Sequence, residues 1–210
     1  MRNRPISHLI TIAYCAAFLT LAFASISRAQ DPRSGNVKTT IVNVHNFAGT
    51  AVIPNAGASL SRNSDGVFAT ISTSGLTPGN VVTLWWAIFN NPELCAVPGC
   101  GPSDLNNPAV NGSAQYGGGY VVGANGRADF SGYLAEGDNT GFAILPPFPN
   151  MPNPSPGIVD SKTAVIHVVI RNHGPASADP AVLAAQLTTF LGGCTMANPC
   201  TNLQAAPFLP

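Results

Sequence analysis

The chain has 210 residues, no formal net charge and only 9% Asp, Glu, Lys and Arg, whereas an ordinary soluble domain contains about 25%. The 45% of hydrophobic residues excludes a disordered polyelectrolyte, and the scarcity of cations excludes a nucleic-acid-binding surface. The 21 glycines and 19 prolines argue against a helical bundle and favour many short strands joined by turns.

The first 29 residues have the pattern of a secretory signal peptide. Arg2 and Arg4 give a basic start, about 16 uncharged residues follow from Leu9 to Ala24, and small residues precede a cleavage point after Ala29. The alternative, a membrane anchor, needs about 20 apolar residues. We therefore expect residues 1–29 to be removed, with cleavage after Ala24 as a variant, and the protein to be exported to the periplasm or outside the cell.

Residues 30–210 are predicted to form a single secreted β-domain with no further stretch long enough to span a membrane. Without Cys15 the cysteines are even in number, which predicts disulfides in an exported chain. A zinc site is the alternative, but it usually has Cys-x2-Cys spacings, and here the spacings are longer. We expect two local pairs that pin loops, Cys95–Cys100 and Cys194–Cys200. Crossed pairing would instead tie the middle of the chain to its end.

Period-two patterns predict the first strands. Alternating β-branched residues indicate a strand over 37–48. Strands at 58–63 and 67–73 flank Ser64-Asp65-Gly66, which is a hairpin signal. The most apolar strand is predicted at 81–89. Residues 90–115, rich in Asn, Pro and Gly, are predicted to form a long loop.

The second half of the chain carries a further hairpin signal and the one convincing helix. Asn125-Gly126 predicts a hairpin turn between strands at 120–122 and 127–134. Residues 146–157 contain six prolines and indicate a polyproline-like surface loop, whereas 163–171 is apolar on both faces, as in a central strand. Asp179-Pro180 should begin a helix that ends at Gly192-Gly193 and has an apolar stripe: Val182, Leu183, Gln186, Leu187, Phe190 and Leu191.

This order of elements predicts an all-β fold, an antiparallel β-sandwich of Ig-like or related topology with one C-terminal helix. A closed β-barrel is the alternative.

A short phrase at residues 72–80, Ser-Thr-Ser-Gly-Leu-Thr-Pro-Gly-Asn, resembles the Gly-Leu-x-Pro-Gly turn of chordin-type (CHRD) domains and of copper–zinc superoxide dismutases. The phrase His173-Gly-Pro-Ala also looks like CHRD domains. The resemblance implies a dismutase-like sandwich as one form of the expected fold. Dismutases place a copper-binding His-x-His on the strand after this turn, but residues 83–87 read Thr-Leu-Trp-Trp-Ala, so dismutase activity is not implied. The wider pattern of paired tryptophans and cysteines is similar to exported bacterial β-sandwich proteins with no assigned activity.

Aromatic side chains are the best candidates for ligand binding. Trp85 and Trp86 are neighbours in a strand, so they must point to opposite faces. An exposed aromatic beside Asn-rich loops could stack on a sugar or a peptide, and Tyr116, Tyr120 and Tyr133 are further candidates. The alternative is that both tryptophans are buried, one in the sandwich core and one under the helix.

Three histidines, His45, His167 and His173, are weak candidates for metal ligands. His167 and His173 should share a face of one strand about 20 Å apart, which is too far for one ion. The alternative is a core histidine bonded to backbone and a loop histidine that caps the Gly-Pro turn.

Signatures of catalysis are weak. The Gly-x-Ser-x-Gly motif of serine hydrolases is not present. Gly117-Gly118-Gly119 lacks the lysine of a phosphate-binding P-loop and is more consistent with a bulge or bend. The few acids that a glycosidase could use are explained as surface or turn residues: Glu93, Asp104, Asp129, Glu136 and Asp138. We expect an exported, non-catalytic binding or structural module without a cofactor, whose partner is a glycan or an envelope protein. The alternative is a metal-dependent enzyme distantly related to the dismutases, which elemental analysis would distinguish.

Overall fold

The computed structural model describes residues 37–143 and 153–210, without the side chains of Asn153 and Pro154. One α-helix, α1, spans Pro180–Thr188, and three short 3-10 helices lie at Pro92–Leu94, Pro102–Asn106 and Pro108–Val110. In chain order the strands are β1 (Lys38–Val42), β2 (His45–Asn46), β3 (Gly57–Asn63), β4 (Gly66–Thr73), β5 (Asn80–Phe89), β6 (Gly112–Val121), β7 (Ala128–Ala135), β8 (Phe142–Ala143), β9 (Asn153–Pro154), β10 (Val165–Pro175) and β11 (Thr201–Phe208).

The strands form two antiparallel sheets. A four-stranded sheet has the order β1-β3-β4-β7, and a seven-stranded sheet has the order β2-β11-β10-β5-β6-β8-β9. The predicted antiparallel β-sandwich with one helix is confirmed, and the described residues form no closed barrel. Among them, no helix is both long enough and apolar enough to cross a membrane.

Burial differs between the two sheets. In β3 the residues alternate between buried and half-buried, because only one face of the four-stranded sheet packs on the core. In β5 every residue after Asn80 is buried. The inner side chains of β5, such as Trp86 and Ile88, belong to the core between the sheets. The outer ones, such as Trp85 and Phe89, belong to a second hydrophobic cluster, so the seven-stranded sheet is covered on both faces.

Local signals predicted several elements correctly. The β3–β4 hairpin turns at Ser64-Asp65, where the side chain of Asn63 accepts hydrogen bonds from the amides of Asp65 and Gly66 at 2.9 and 3.0 Å. The carboxylate of Asp179 accepts from the amides of Ala181 and Val182 at 2.8 and 3.3 Å, as expected for the cap of α1. The central strand predicted at 163–171 is β10, which lies between β11 and β5.

Two predicted connections are wrong because the chain changes sheets. The strand expected over 37–48 is interrupted after β1, and β2 joins the other sheet. The turn at 123–126 exists, with a 3.0 Å bond between the amide of Gly126 and the carbonyl of Gly123, but β6 and β7 lie in different sheets and do not form a hairpin. A turn sequence reverses the chain without deciding which strand the next one pairs with.

Other boundaries also differ from the prediction. β6 begins at Gly112, inside the predicted loop 90–115, and the loop itself contains the three 3-10 helices. β11 was not predicted. Helix α1 ends at Thr188 rather than at Gly192-Gly193, and Val182 and Leu191 of the expected apolar stripe are exposed. Most of the predicted proline-rich loop, residues 146–152, lies outside the described residues.

The glycines at 117–119 lie within β6, and the bulge expected there is present. The register with β5 shifts there, with Leu84 opposite Gly118 and Trp85 opposite Tyr116, so Gly117 is the extra residue of a β-bulge. A Cβ on Gly119 would collide with the backbone carbonyl of Leu187. The missing side chain therefore lets α1 pack directly on the outer face of β6.

Candidate functional site: an apolar pocket on the outer face of the seven-stranded sheet

A cavity of about 340 Å³ lies on the outer face of the seven-stranded sheet; we call it the outer-face pocket. Its floor is formed by β5 and β10. The 3-10 helix Pro102–Asn106 borders one side through Pro102 and Leu105, and the segment after α1 borders another through Phe190 and Leu191. Phe47, Ala114 of β6, Asn202 of β11 and, from the floor strands, Trp86 and Val169 also belong to the lining.

Strand alternation produces the floor. Trp85, Ala87 and Phe89 of β5 all belong to the outer lining, since alternate residues of a strand share a face. Ala87 lies opposite His167 of β10. Because the alanine side chain is much smaller than its neighbours Trp85 and Phe89, the sheet has a hollow between two aromatic rings.

Aromatic contacts hold the walls in place. The rings of Trp85 and Phe190 are 5.0 Å apart at an interplanar angle of 84°, and Phe142 lies 5.7 and 5.3 Å from them. These are the edge-to-face arrangements that aromatic pairs prefer. On the other side of the hollow, the rings of Phe89 and His167 are 5.0 Å apart. The pocket is therefore preformed by interlocked rings.

One cationic side chain, Arg171, lines this apolar cavity. It is only 8% exposed, and its Nε donates to the carbonyl of Phe190 at 2.9 Å, while Nη1 donates to Oδ1 of Asn202 at 2.9 Å. The guanidinium also lies 4.0 Å from the centre of the Phe190 ring, a cation–π contact. Burial lowers the pKa of Arg171 to about 10, so the group is still charged at neutral pH.

His167 is the other titratable group of the lining. Its Nε2 lies 2.9 Å from the carbonyl of Gly99; because a carbonyl can only accept, Nε2 carries the proton of the neutral ring. Burial lowers the pKa of His167 below its ordinary value. The ring is therefore neutral at pH 7, and Arg171 supplies the only formal charge among the described residues of the lining.

Each disulfide lies beside one wall. Cys95–Cys100 and Cys194–Cys200 both have Cα–Cα separations of 5.2 Å, and they are the two local pairs that the spacing predicts. After the first pair, the buried carboxylate of Asp104 accepts from the amides of Ala96 and Gly101 at 2.8 and 2.7 Å. This carboxylate fixes the loop that presents Pro102 and Leu105 to the pocket.

The second wall is fixed by a chain of hydrogen bonds around His173. His173 is fully buried, with Nδ1 2.8 Å from the carbonyl of Gly192 and Nε2 2.8 Å from Oγ1 of Thr83. Nδ1 must donate to the carbonyl, so Nε2 accepts from Thr83, whose oxygen in turn accepts from Nε1 of Trp85 at 2.8 Å. The chain links the floor of the pocket to the Cys194–Cys200 segment, because Sγ of Cys200 also contacts Nδ1 of His173 at 3.4 Å.

His167 and His173 lie in one strand, β10, as expected, and the three histidines do not share a site. His173 is the core histidine bonded to backbone, and His167 contacts the carbonyl of Gly99, so the alternative of a loop histidine that caps the Gly-Pro turn is wrong. His45 lies in β2, paired with Ala205 of β11. In the described part of the chain, the groups close enough for a metal ion are His173 with Cys194 and Cys200, and Cys95 and Cys100 with Asp104. Their sulfurs are joined in disulfides, so neither set offers a thiolate.

The aromatic candidates separate into different environments. Trp86 is 1% exposed and lies in the core between the sheets, whereas Trp85 is 5% exposed and lies under the segment that follows α1. This is the arrangement in which both tryptophans are buried. Tyr116 is 41% exposed and donates to the carbonyl of Leu187 at 2.7 Å. Burial raises its pKa.

Tyr120 and Tyr133 face solvent away from the outer-face pocket. Tyr120 is partly exposed and packs edge-on against Phe130 with ring centres 6.0 Å apart. Tyr133 donates to the carbonyl of Asp65 at 2.8 Å. Neither lines the cavity.

Sequence reasoning missed Arg171, Phe190 and Asn202 as site residues. Arg171 carried a signal, since it is a charge directly after a strand that is apolar on both faces. Asn202 carried none, because it lies in the strand that was not predicted.

Comparisons of the chain with protein-family models, with curated proteins and with solved structures give no match. The resemblance to CHRD domains and dismutases therefore stays a prediction from the motifs alone.

Proposed function

We propose that this chain is an exported, non-catalytic module that binds a small, mainly apolar ligand in the outer-face pocket. The observation that carries the proposal is a hollow of about 340 Å³ bounded by Trp85, Phe89 and Phe190. Pockets for small ligands are mostly apolar, have a few placed polar groups and measure about 300 to 1,000 Å³. The lining has too few polar side chains to satisfy the hydroxyl groups of a sugar, so an apolar ligand is favoured over a glycan.

The rigid walls support the same proposal. A site that is held in its binding shape loses little conformational entropy when a ligand enters. Here interlocked aromatic rings, the carboxylate of Asp104 and the hydrogen bonds of His173 fix the loops on both sides. Disulfides next to both loops fit an oxidising compartment, which agrees with the signal pattern of residues 1–29.

The proposal is tested by titrating the protein with toluene, a neutral apolar probe, and measuring heat release and thermal stability. We expect saturable binding and a rise in Tm with toluene concentration, because a ligand that binds the native state stabilises it. Ala87→Leu fills the floor of the hollow and should abolish binding. Ala184→Leu adds the same atoms to the exposed face of α1 and should bind as the wild type does. Absence of toluene binding, or equal binding by both variants, would refute the proposal.

Export is tested separately by the mass of the mature protein. Protein recovered from outside the cytoplasm of its native host should begin after Ala29, or after Ala24 if the earlier point is used. A full-length chain retained in the cytoplasm would contradict export. It would not affect the pocket proposal, which the toluene titration tests.

A metal-dependent enzyme is the competing function. It would need His45, His167 or His173 to supply ligands, and in the described residues each has a different set of neighbours. Elemental analysis of the purified mature protein decides the matter. Stoichiometric copper or zinc would overturn the non-catalytic proposal.

A further inference from the structure

The charge of Arg171 is unbalanced in the described structure. Burying a cation in apolar surroundings is costly unless it is paired or fully hydrogen-bonded. Two of its three nitrogens are bonded, one to the carbonyl of Phe190 and one to Asn202. Among the described residues, Nη2 has no hydrogen-bond partner and the guanidinium has no carboxylate partner. Arg171 lines the cavity, so this remaining donor is the one available to a ligand there.

A second buried arginine shows what a purely structural role looks like in this fold. Arg62 is 2% exposed, and both of its terminal nitrogens donate to carbonyls, Nη1 to Ser161 and Ala164 and Nη2 to Phe208 and Leu209. These bonds tie β3 to the ends of the other sheet. Arg62 also keeps one nitrogen without a partner, its buried Nε, but it does not line the outer-face pocket, whereas Arg171 does.

Asn202 adds a second donor beside Arg171. Its Oδ1 accepts from Nη1 of Arg171 at 2.9 Å, which leaves the Nδ2 group of the same amide to donate, and that group has no partner among the described residues. Nη2 and Nδ2 are therefore unbonded donors of two side chains that are hydrogen-bonded to each other and both line the apolar hollow. Two adjacent donors, one of them charged, match the two oxygens of a carboxylate.

We propose that the ligand of the outer-face pocket is a small monocarboxylic acid with an aromatic or aliphatic body, whose carboxylate binds Arg171 and Asn202 while its body occupies the hollow over Ala87. This inference rests on the proposed function. The ring of His167 is neutral, so the site offers one positive charge and matches one negative charge. A cavity of about 340 Å³ lies near the lower end of the range for small-ligand pockets, about 300 to 1,000 Å³, which favours a small ligand.

The experiment compares phenylacetate with phenylacetamide, which has the same shape and the same number of non-hydrogen atoms but no charge. Both are titrated calorimetrically into the full mature protein at neutral pH. Because hydrogen bonds to charged groups are stronger than neutral ones, phenylacetate should bind about 10 to 100 times more tightly. This comparison uses the wild-type protein and does not depend on the folding of any variant.

Variants then assign the preference to Arg171. Arg171→Met should remove the difference between the two probes by weakening phenylacetate alone, and Arg171→Lys, which keeps the charge without the planar fork, should give an intermediate value. Arg127→Met is the matched control: Arg127 donates to the carbonyl of Asn55 at 3.3 Å and to Oγ of Ser72 at 3.5 Å, outside the pocket. It should keep the full preference.

The outcomes separate this inference from the proposed function. If toluene binds and phenylacetate binds no better than phenylacetamide, the carboxylate inference is overturned and the apolar pocket stands. If the preference for phenylacetate persists in Arg171→Met, the anion is bound elsewhere and the inference is also overturned. If toluene does not bind, the proposed function itself fails.

Discussion

The packing of α1 against β6 provides a test of how the pocket is formed. A Cβ placed on Gly119 would lie within 3.0 Å of three backbone atoms of Leu187, and backbone atoms cannot rotate away as a side chain can. Overpacking of this kind costs about 1 to 3 kcal/mol. Displacing Leu187 would also break the 2.7 Å bond that its carbonyl accepts from Tyr116, worth about 1 kcal/mol.

The strand itself gains from the substitution, since alanine is about 0.5 to 1 kcal/mol better than glycine in a strand interior. The net expectation for Gly119→Ala is a loss of about 1 to 3 kcal/mol, or roughly 2 to 12 °C in Tm for a domain of this size. Because Phe190 and Leu191 lie two and three residues after the end of α1 and line the pocket, toluene affinity should fall as well.

Gly118→Ala is the matched control on the same strand. A Cβ there would meet only the ring of Phe130, at 3.4 Å, which is ordinary contact distance. Its stability should be unchanged or slightly higher, and its toluene affinity should equal that of the wild type. Urea denaturation and calorimetry on both variants decide the question. Equal stabilities for the two variants would show that the packing of α1 against β6 is not what requires glycine at position 119.

The remaining predictions concern the core, the disulfides and pH. Trp86→Ala should cost about 3 to 5 kcal/mol in a urea denaturation, and Trp85→Ala should cost less, because one side of Trp85 borders the cavity; equal losses would contradict this. Each disulfide closes a short loop and should contribute about 2 kcal/mol to the free energy of unfolding. Reduction should speed hydrogen exchange near residues 92–106 and 189–200 and weaken toluene binding, whereas β5 and β10 should stay protected. Loss of protection throughout both strands would contradict this prediction. Burial lowers the pKa of both His173 and His167, so as the pH falls these histidines are protonated in the unfolded chain before they are protonated in the folded protein. The free energy of unfolding should therefore be constant above about pH 6.5 and fall below it, by at most about 1.4 kcal/mol per pH unit for each histidine. A free energy of unfolding that stays constant down to about pH 5 would contradict the pH prediction.

Local chemistry explains what could be predicted from the sequence. The β3–β4 hairpin, the Asp179 cap and the two cysteine pairs each depend on residues a few positions apart. The opposite directions of Trp85 and Trp86 follow from strand alternation alone, and the structure places one in the core and the other near α1.

Pairing between distant segments explains what could not be predicted. β11 contains Asn202, two alanines and Pro207, residues with little intrinsic strand preference; it is a strand because it pairs with β10. The change of sheet between β6 and β7 depends on packing of the whole sandwich, not on the Asn-Gly turn. The pocket unites Trp85, Arg171, Phe190 and Asn202, and only the tertiary fold brings them together.

The most direct test of the outer-face pocket uses the two indole N–H signals of the protein in a nitrogen-correlated NMR spectrum. Both tryptophans contribute to the lining, but the Trp85 ring packs among the aromatic rings of the wall, whereas the Trp86 side chain belongs to the core between the sheets. On titration with toluene, the Trp85 signal should move saturably while the Trp86 signal changes little, and Ala87→Leu should suppress the movement. A Trp85 signal that stays in place while toluene binds would contradict the claim that this pocket is the ligand site.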